Sequence, residues 1–327
     1  MSDELTGITL FSGVGGVGCG MQMAGVSVIA SVELDIENRA YSEDCQAMHE
    51  VNFPDGDFYL NQVGEVAELL PGCDILQAST VCKHFSAAAS INGGIQETLQ
   101  DTALAKDTTK AIVRCNAPHF FLEQVPGYQD TRSLEIIAKC LEEEGYSMVS
   151  DVVDMADYGI AQNRKRFFLL ATRSGINWGF PSPAKRRIGW REAIAGIPLE
   201  PSTLTRRQQE ALIRSLDNTY DLYKGVLIQR IGMNTTIRRH YEPCWTLTRS
   251  SFTDGKGAAR DTSINVVNTD GVWKLPIRAI ARLGGFPDSF QFGKHGGQGI
   301  GYSVPPRFVK QLLQPIVNPV AIMQGIV

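Results

Sequence analysis

GITLFSGVGGVGCGMQMAGVSVIASVELD, residues 7–35, sets the fold. Residues 7–11 are short, apolar and rich in β-branched side chains, which predicts a buried strand. Gly13, Gly15, Gly16 and Gly18 follow and permit a tight turn with close backbone approach to a ligand. A helix then carries Met21 and Met23 to Gly25, and residues 26–33 predict a second strand ending in Glu33, with Asp35 just beyond. Strand, glycine turn, helix and acid-ended strand make a nucleotide-binding βαβ unit. Backbone N–H groups in such a turn cradle a ligand's polar end, and the acid accepts ribose hydroxyls. A glycine turn alone is an ordinary βα connection; the acid at this distance is what points to a ligand.

Outward from this unit the alternation continues. Asp57 precedes an amphipathic stretch, NQVGEVAELL, and CDILQAS (73–79) reads as a buried strand after Pro71-Gly72. HFFLEQV (119–125) is another strand, with Glu123 near its end, and 145–155 and 166–173 predict two more. Helices alternating with strands predict a doubly wound α/β, Rossmann-like fold with a mostly parallel sheet. Chemistry in such sheets gathers beyond the C-terminal strand ends, where Cys82 and Glu123 both fall.

The 327 residues allow one large domain with a smaller one. No apolar run is long enough to span a bilayer. The N-terminus lacks a signal-peptide pattern, so a cytoplasmic or nucleoid-associated location is expected. The seven cysteines (19, 45, 73, 82, 115, 140 and 244) show no CxxC or Cys/His metal spacing, so reduced thiols and no metal are expected. Net charge is −4, but residues 185–268 hold 14 Lys+Arg against 8 Asp+Glu, which leaves −10 on the remainder. A basic segment on an acidic body suggests a face for a polyanion, although chance clustering of solvated charges gives the same count.

Cys82 lies in STVCKHFS, directly after a predicted strand, and the cations Lys83 and His84 favour its thiolate. The small-residue stretch that follows reads as a lid over 83–102. Glu123 can act as a general acid or bond a ring nitrogen. Gln162, Arg164 and Arg166 alternate, so a strand would aim them to one face as an anion or carbonyl clamp; an exposed edge strand is the plainer alternative.

Together these pieces resemble the DNA cytosine-5 methyltransferase family, over nearly the whole chain and in the family's order. LFSGVGG matches its cofactor loop, ELD its ribose-binding acid and GDF (56–58) the acid near the adenine amine. STVCKHFS matches the nucleophile loop, LEQVPG the glutamate motif, and YGIAQNRKR the Gln-x-Arg-x-Arg motif; ARLGGFPDSF and GYSVPPRF match the last two. The resemblance implies S-adenosylmethionine bound by Phe11, Gly13, Gly15, Gly16, Glu33, Asp57, Phe58, Tyr302 and Val304. It implies a flipped-out cytosine in double-stranded DNA, with Cys82 adding to carbon 6. Glu123 would contact N3 and the exocyclic amine, Arg166 would hold O2, and Arg164 would fix the loop or thiol environment. It also implies a monomeric transferase of the restriction–modification kind. Residues 1–184 with 269–327 would form the catalytic domain, and 185–268 the target-recognition domain. Ser86, Lys185, Arg186, Arg187, Arg238, Arg239 and Arg249 are the DNA-contact candidates. The helix-like TRRQQEALIRSL (205–216) serves structure as readily as groove recognition. The tail VPPRFVKQLLQPIV would pack back on the first βαβ unit.

The sequence departs from this family at the active centre. Val81 stands where proline precedes the nucleophile, Lys83 where glutamine follows it, Gln124 where the glutamate motif has asparagine, and Tyr302 where the last motif has asparagine. Losing the proline removes a φ restraint beside the cysteine. Two alternatives therefore stand beside methyl transfer: the same scaffold using a modified S-adenosylmethionine analogue or adding a different group, and a DNA-binding protein without catalysis. An RNA substrate is a further alternative, although a recognition segment of this size suits DNA.

Overall fold

The structure, a computed structural model, describes residues 4–81, 84–85, 97–215, 219–231, 234–252 and 264–319. Cys82, Lys83 and Ser86 lie outside the described residues.

In chain order the first elements are β1 (Thr6–Leu10), α1 (Gly16–Ala24), β2 (Ser27–Val32), α2 (Arg39–Asn52), β3 (Asp57–Tyr59), α3 (Val63–Val66), β4 (Ile75–Ala78), α4 (Leu99–Cys115), β5 (His119–Gln124), α5 (Arg132–Glu143), β6 (Ser147–Asp154) and β7 (Lys165–Thr172). The strands form one sheet in the order β3-β2-β1-β4-β5-β7-β6. Every pairing from β3 through β5 is parallel. β7 runs antiparallel between β5 and β6. The expected doubly wound, mostly parallel sheet is therefore present. β1, β4 and β5 are buried on both faces, which is why they read as continuous apolar runs; Ile8, Leu10, Leu76, Ala78, Phe120 and Leu122 join one core cluster. Strand order reverses between β1 and β4, and ligand crevices in such sheets open there.

The chain continues through α6 (Trp190–Ala193), β8 (Glu200–Pro201), α7 (Arg206–Ser215), α8 (Thr219–Lys224), β9 (Val226–Ile231), β10 (Asn234–Arg239), β11 (Ile264–Asn268), β12 (Gly271–Lys274), α9 (Ile277–Leu283), α10 (Gly296–Tyr302), α11 (Pro306–Leu312) and α12 (Gln314–Val317). Within the stretch at 205–216, Arg206–Ser215 form the helix α7. α11 packs on α1 as expected: a Cβ on Gly20 would lie 2.4 Å from Val309 Cβ and 2.7 Å from the Pro306 carbonyl, so only glycine lets the helices meet.

Two compact units result. The first contains Met1–Asp154, Lys165–Pro181 and Pro306–Val327; the second contains Met155–Arg164 and Ser182–Pro305. The second has its own antiparallel sheet, β10-β9-β11-β12-β8, over a small core of Val226, Ile228 and Val267. Residues 155–164 and 269–305 thus pack with the segment expected for recognition. The division into catalysis and recognition expected at 184/185 and 268/269 is one of function, and compactness draws a different line.

Two local expectations change. The lid expected over 83–102 ends sooner: Thr98 caps α4 by accepting from the Asp101 N–H, so 99–102 form a helical first turn. Gln162 and Arg164 are not on a strand with Arg166, because β7 begins at Lys165. Gln162 instead makes an isolated bridge with Cys244.

Candidate active site

At the end of β1 the chain turns with Phe11 at φ +56°, Gly13 at +53° and Gly15 at +90°. Positive φ in a non-glycine residue is strained and concentrates at functional turns. The turn aims the Gly13 N–H at Glu33 Oε2, 2.8 Å away. The Ser12 N–H donates to the Val32 carbonyl at 3.0 Å, which locks the loop to the end of β2. Burial pushes the Glu33 carboxyl up to about 7; the Gly13 N–H opposes this, and the Asp35 charge adds to it. One donor is too little for an enclosed carboxylate, and two ribose hydroxyls would complete its shell. The Ser12 hydroxyl is likewise buried without a partner among the described residues. Gly16 opens α1. Asp57 is exposed at the start of β3, and the neighbouring Phe58 ring lies 5.0 Å from the buried His49 ring. An S-adenosyl group fits these residues.

The second cluster lies where β4 and β5 end. Glu123, 5% exposed, accepts from Ser79 Oγ at 3.1 Å and pairs with Arg166 Nε at 3.0 Å. Gln77 Nε2 in turn donates to Ser79 Oγ at 2.7 Å. A buried carboxylate held by a cation and a hydroxyl is fixed in place and desolvated, as a group acting on a ring nitrogen needs to be. Cys82 follows two residues after Thr80 in sequence. Just past it, His84 Nδ1 lies 2.9 Å from Asp101, and the buried Phe85 ring meets Tyr128 edge-on at 5.1 Å.

The other thiols do not compete as nucleophiles. Burial pushes Cys19 up to about 12 and Cys140 up to about 11, and it also raises Cys45 and Cys244. Cys73 hydrogen-bonds Cys115; the bond raises Cys73 and lowers Cys115, which at 1% exposure is closed off from any substrate. A protonated, buried thiol is inert.

Arg164 and Arg166 separate sharply. The Arg164 guanidinium, 1% exposed, donates to the carbonyls of Leu247 at 3.1 Å, Gly301 at 3.0 Å and Tyr302 at 2.8 Å. Gln162 accepts from the Leu247 N–H at 3.0 Å. Both therefore knit the second unit together, and Arg164 acts on its backbone. Tyr302 is 41% exposed at the end of α10, and Val304 is buried beyond it; both belong to the second unit.

Most of the basic candidates already have partners. Arg186 forms a two-point pair with Glu192 at 2.8 Å and 2.8 Å. Arg187 meets Asp157 at 2.8 Å, Arg238 meets Glu242 at 3.3 Å, and Arg239 meets Asp221 at 3.2 Å. The exposed Arg186 and Arg187 pairs are weak, whereas the Arg238 and Arg239 pairs are partly buried. Lys185 is fully on the surface, and Arg249 opens a short 3₁₀ turn. Reasoning from sequence missed Ser79, Gln77 and Asp101 as members of the site. Ser79 meets Glu123 across 44 positions, a contact set by strand register that no local motif signals.

Comparison with known proteins bears on this geometry. A family model described as C-5 cytosine-specific DNA methylase matches residues 5–318. Type II methyltransferase M.NlaX of Neisseria lactamica is 27% identical over 300 residues, covering 87% of this chain and 86% of that one. Type II methyltransferase M.HhaI of Haemophilus parahaemolyticus is 27% identical over 304 residues, covering 88% and 86%. Among solved structures, a putative DNA modification methyltransferase from an E. coli prophage superposes with a TM-score of 0.65 at 19% identity, covering 96% of this chain and 99% of that one. A Spodoptera frugiperda DNMT2 mutant gives 0.63 at 12%, covering 95% and 98%. At these identities the two structures speak to the fold alone.

Proposed function

The chain belongs to the C-5 cytosine-specific DNA methylase family and transfers a methyl group from S-adenosylmethionine to carbon 5 of cytosine in DNA; on that premise we propose that it works through a covalent Cys82 adduct on a base turned out of the duplex. The observation that carries this reading is the buried Glu123–Arg166 pair beside Ser79 at the strand end that leads to Cys82.

The chemistry follows from the residues. Carbon 5 of cytosine is a poor nucleophile. The Cys82 thiolate adds to carbon 6, forms an S–C bond and moves electron density to carbon 5. Glu123 holds a proton at N3 and accepts from the exocyclic amine, which stabilises the enamine as it forms. Arg166 orients Glu123 and supplies positive charge near the carbonyl oxygen of the base. S-adenosylmethionine supplies an electrophilic methyl on a sulfonium. Removal of the carbon-5 proton lets Cys82 leave. Phe11, Gly13, Gly15, Gly16, Glu33, Asp57 and Phe58 would hold the nucleoside end of the cofactor. Turning the base out costs a few kcal/mol, which contacts to the duplex offset. Lys185, Arg186, Arg187, Arg238, Arg239 and Arg249 contribute those contacts through phosphates and base edges, and Ser86 is a further DNA-contact candidate.

The test is to trap the adduct. In duplex DNA carrying 5-fluorocytosine and with S-adenosylmethionine present, the fluorine on the methylated carbon 5 cannot leave as a proton does, so the S–C bond persists. The protein should form an SDS-resistant complex with such DNA that the Cys82→Ala variant does not form. An equal complex with the variant would reject Cys82 as the nucleophile.

A further inference from the structure

We infer that Gln124 is a positioning residue for the Cys82 thiol: its carboxamide acts as a substitute backbone rung beyond the end of β4 and fixes the Thr80 peptide, two residues before Cys82 in the sequence. This rests on the reading of Cys82 as the nucleophile.

The strand register makes the argument. β4 and β5 pair in parallel up to Ala78 opposite Leu122. Extending that register places Ser79 opposite Glu123 and Thr80 opposite Gln124. The backbone ladder has ended there, and side chains continue it. Ser79 Oγ donates to Glu123 Oε2 at 3.1 Å. Gln124 Nε2 donates to the Thr80 carbonyl at 2.5 Å and to Thr80 Oγ1 at 3.1 Å. Gln124 Oε1 accepts from the Val125 N–H at 2.8 Å. Both polar atoms of the carboxamide are thus engaged, in the manner of a peptide group.

Gln124 is 2% exposed and Thr80 is 6% exposed, so water does not stand in for these bonds. The next residue, Val81, is 50% exposed and has no ring to restrict φ. The Thr80 peptide plane is therefore set from outside, by Gln124. On the far side of Cys82, His84 and Phe85 are held by Asp101 and Tyr128. Asparagine at 124 would draw the carboxamide one methylene back toward β5, away from the Thr80 carbonyl. Glutamine at 124 and a non-proline at 81 are then two halves of one arrangement.

The experiment uses the full chain and four proteins: wild type, Gln124→Asn, Val81→Pro, and Gln124→Asn with Val81→Pro. Single-turnover methylation of duplex DNA, S-adenosylmethionine Kd, DNA Kd and Tm are measured on each. Misplacing a reacting atom by an ångström costs on the order of 100-fold, so Gln124→Asn should slow the single-turnover rate about 10- to 100-fold with both Kd values nearly unchanged. Adding Val81→Pro should restore about tenfold of that loss by limiting φ instead. An unchanged rate in Gln124→Asn overturns the inference. So does a rate that falls while both Kd values rise and Tm drops and that is not rescued by proline, which marks a packing residue only. Thr80→Val keeps side-chain volume and removes the hydroxyl's contacts with Gln124 and Tyr128; it should slow the rate about threefold, and it serves if Gln124→Asn does not fold. Methylation that persists in Cys82→Ala would fail the nucleophile reading itself, independently of Gln124.

Discussion

The two strand ends that face each other across the β1/β4 reversal hold their carboxylates by different means. At the β1–β2 end, Glu33 takes a backbone N–H, from Gly13 at 2.8 Å. At the β4–β5 end, Glu123 takes side chains, Ser79 Oγ at 3.1 Å and Arg166 Nε at 3.0 Å. A backbone donor exists whatever the side chain, so the first site depends on glycines that allow the turn and on one acid. A side-chain network depends on every member, and a partly satisfied one is costly. On the proposed reading the first site, which would hold the cofactor, tolerates change around it, and the second, which would do the chemistry, does not.

The largest effect should fall on the second end. Glu123→Gln keeps shape but removes the proton carrier, and the single-turnover rate should drop about 10²- to 10⁴-fold while cofactor Kd stays near wild type. A drop below tenfold would remove Glu123 from proton handling. Next comes Arg164, which by contrast with Arg166 is structural. Arg164→Met removes the donor from the buried Leu247 and Gly301 carbonyls and the part-buried Tyr302 carbonyl, and chemical denaturation should show a loss of about 3 kcal/mol or more. A loss of activity with unchanged stability would instead place Arg164 in the chemistry.

The first end should show itself in pH. Glu33 is pushed up to about 7, so a cofactor whose hydroxyls need the carboxylate should bind more tightly as pH rises through about 7. Glu33→Gln should weaken binding about tenfold and flatten that dependence. Sign matters for stability as well. A raised folded-state value means the native protein holds the proton more tightly than the unfolded chain. The ligand-free protein should therefore lose stability as pH rises from about 4.5 to about 7, and the Gln variant should not. A pH-independent Kd in the wild type would contradict the ribose assignment. The smallest effect belongs to the exposed Arg186–Glu192 pair: Arg186→Ala should leave Tm unchanged and reduce the salt slope of DNA binding by about one. An unchanged slope would take Arg186 off the DNA-facing surface.

The same contrast explains what the sequence revealed. The glycine turn and Glu33 lie within 20 positions of each other, so their contact is local and legible in the sequence. The parallel strands were legible because burial on both faces makes them uniformly apolar. The partners of Glu123 were not legible, since Ser79 and Gln124's partner Thr80 are each 44 positions away across a strand pairing. Alternation at 162, 164 and 166 suggested a shared face, but β7 starts only at Lys165 and Arg164 turns to carbonyls more than 80 residues on. The compact second unit gathers 155–164 with 182–305, a tertiary choice that no composition shift marks.

The central claim is methyl transfer to cytosine carbon 5 through Cys82. Nucleoside mass spectrometry of mixed-sequence duplex DNA, incubated with S-adenosylmethionine and the protein, tests it most directly. The expected result is 5-methylcytosine with wild type and none with Cys82→Ala. The same yield from both, or a modified base other than 5-methylcytosine, would contradict it.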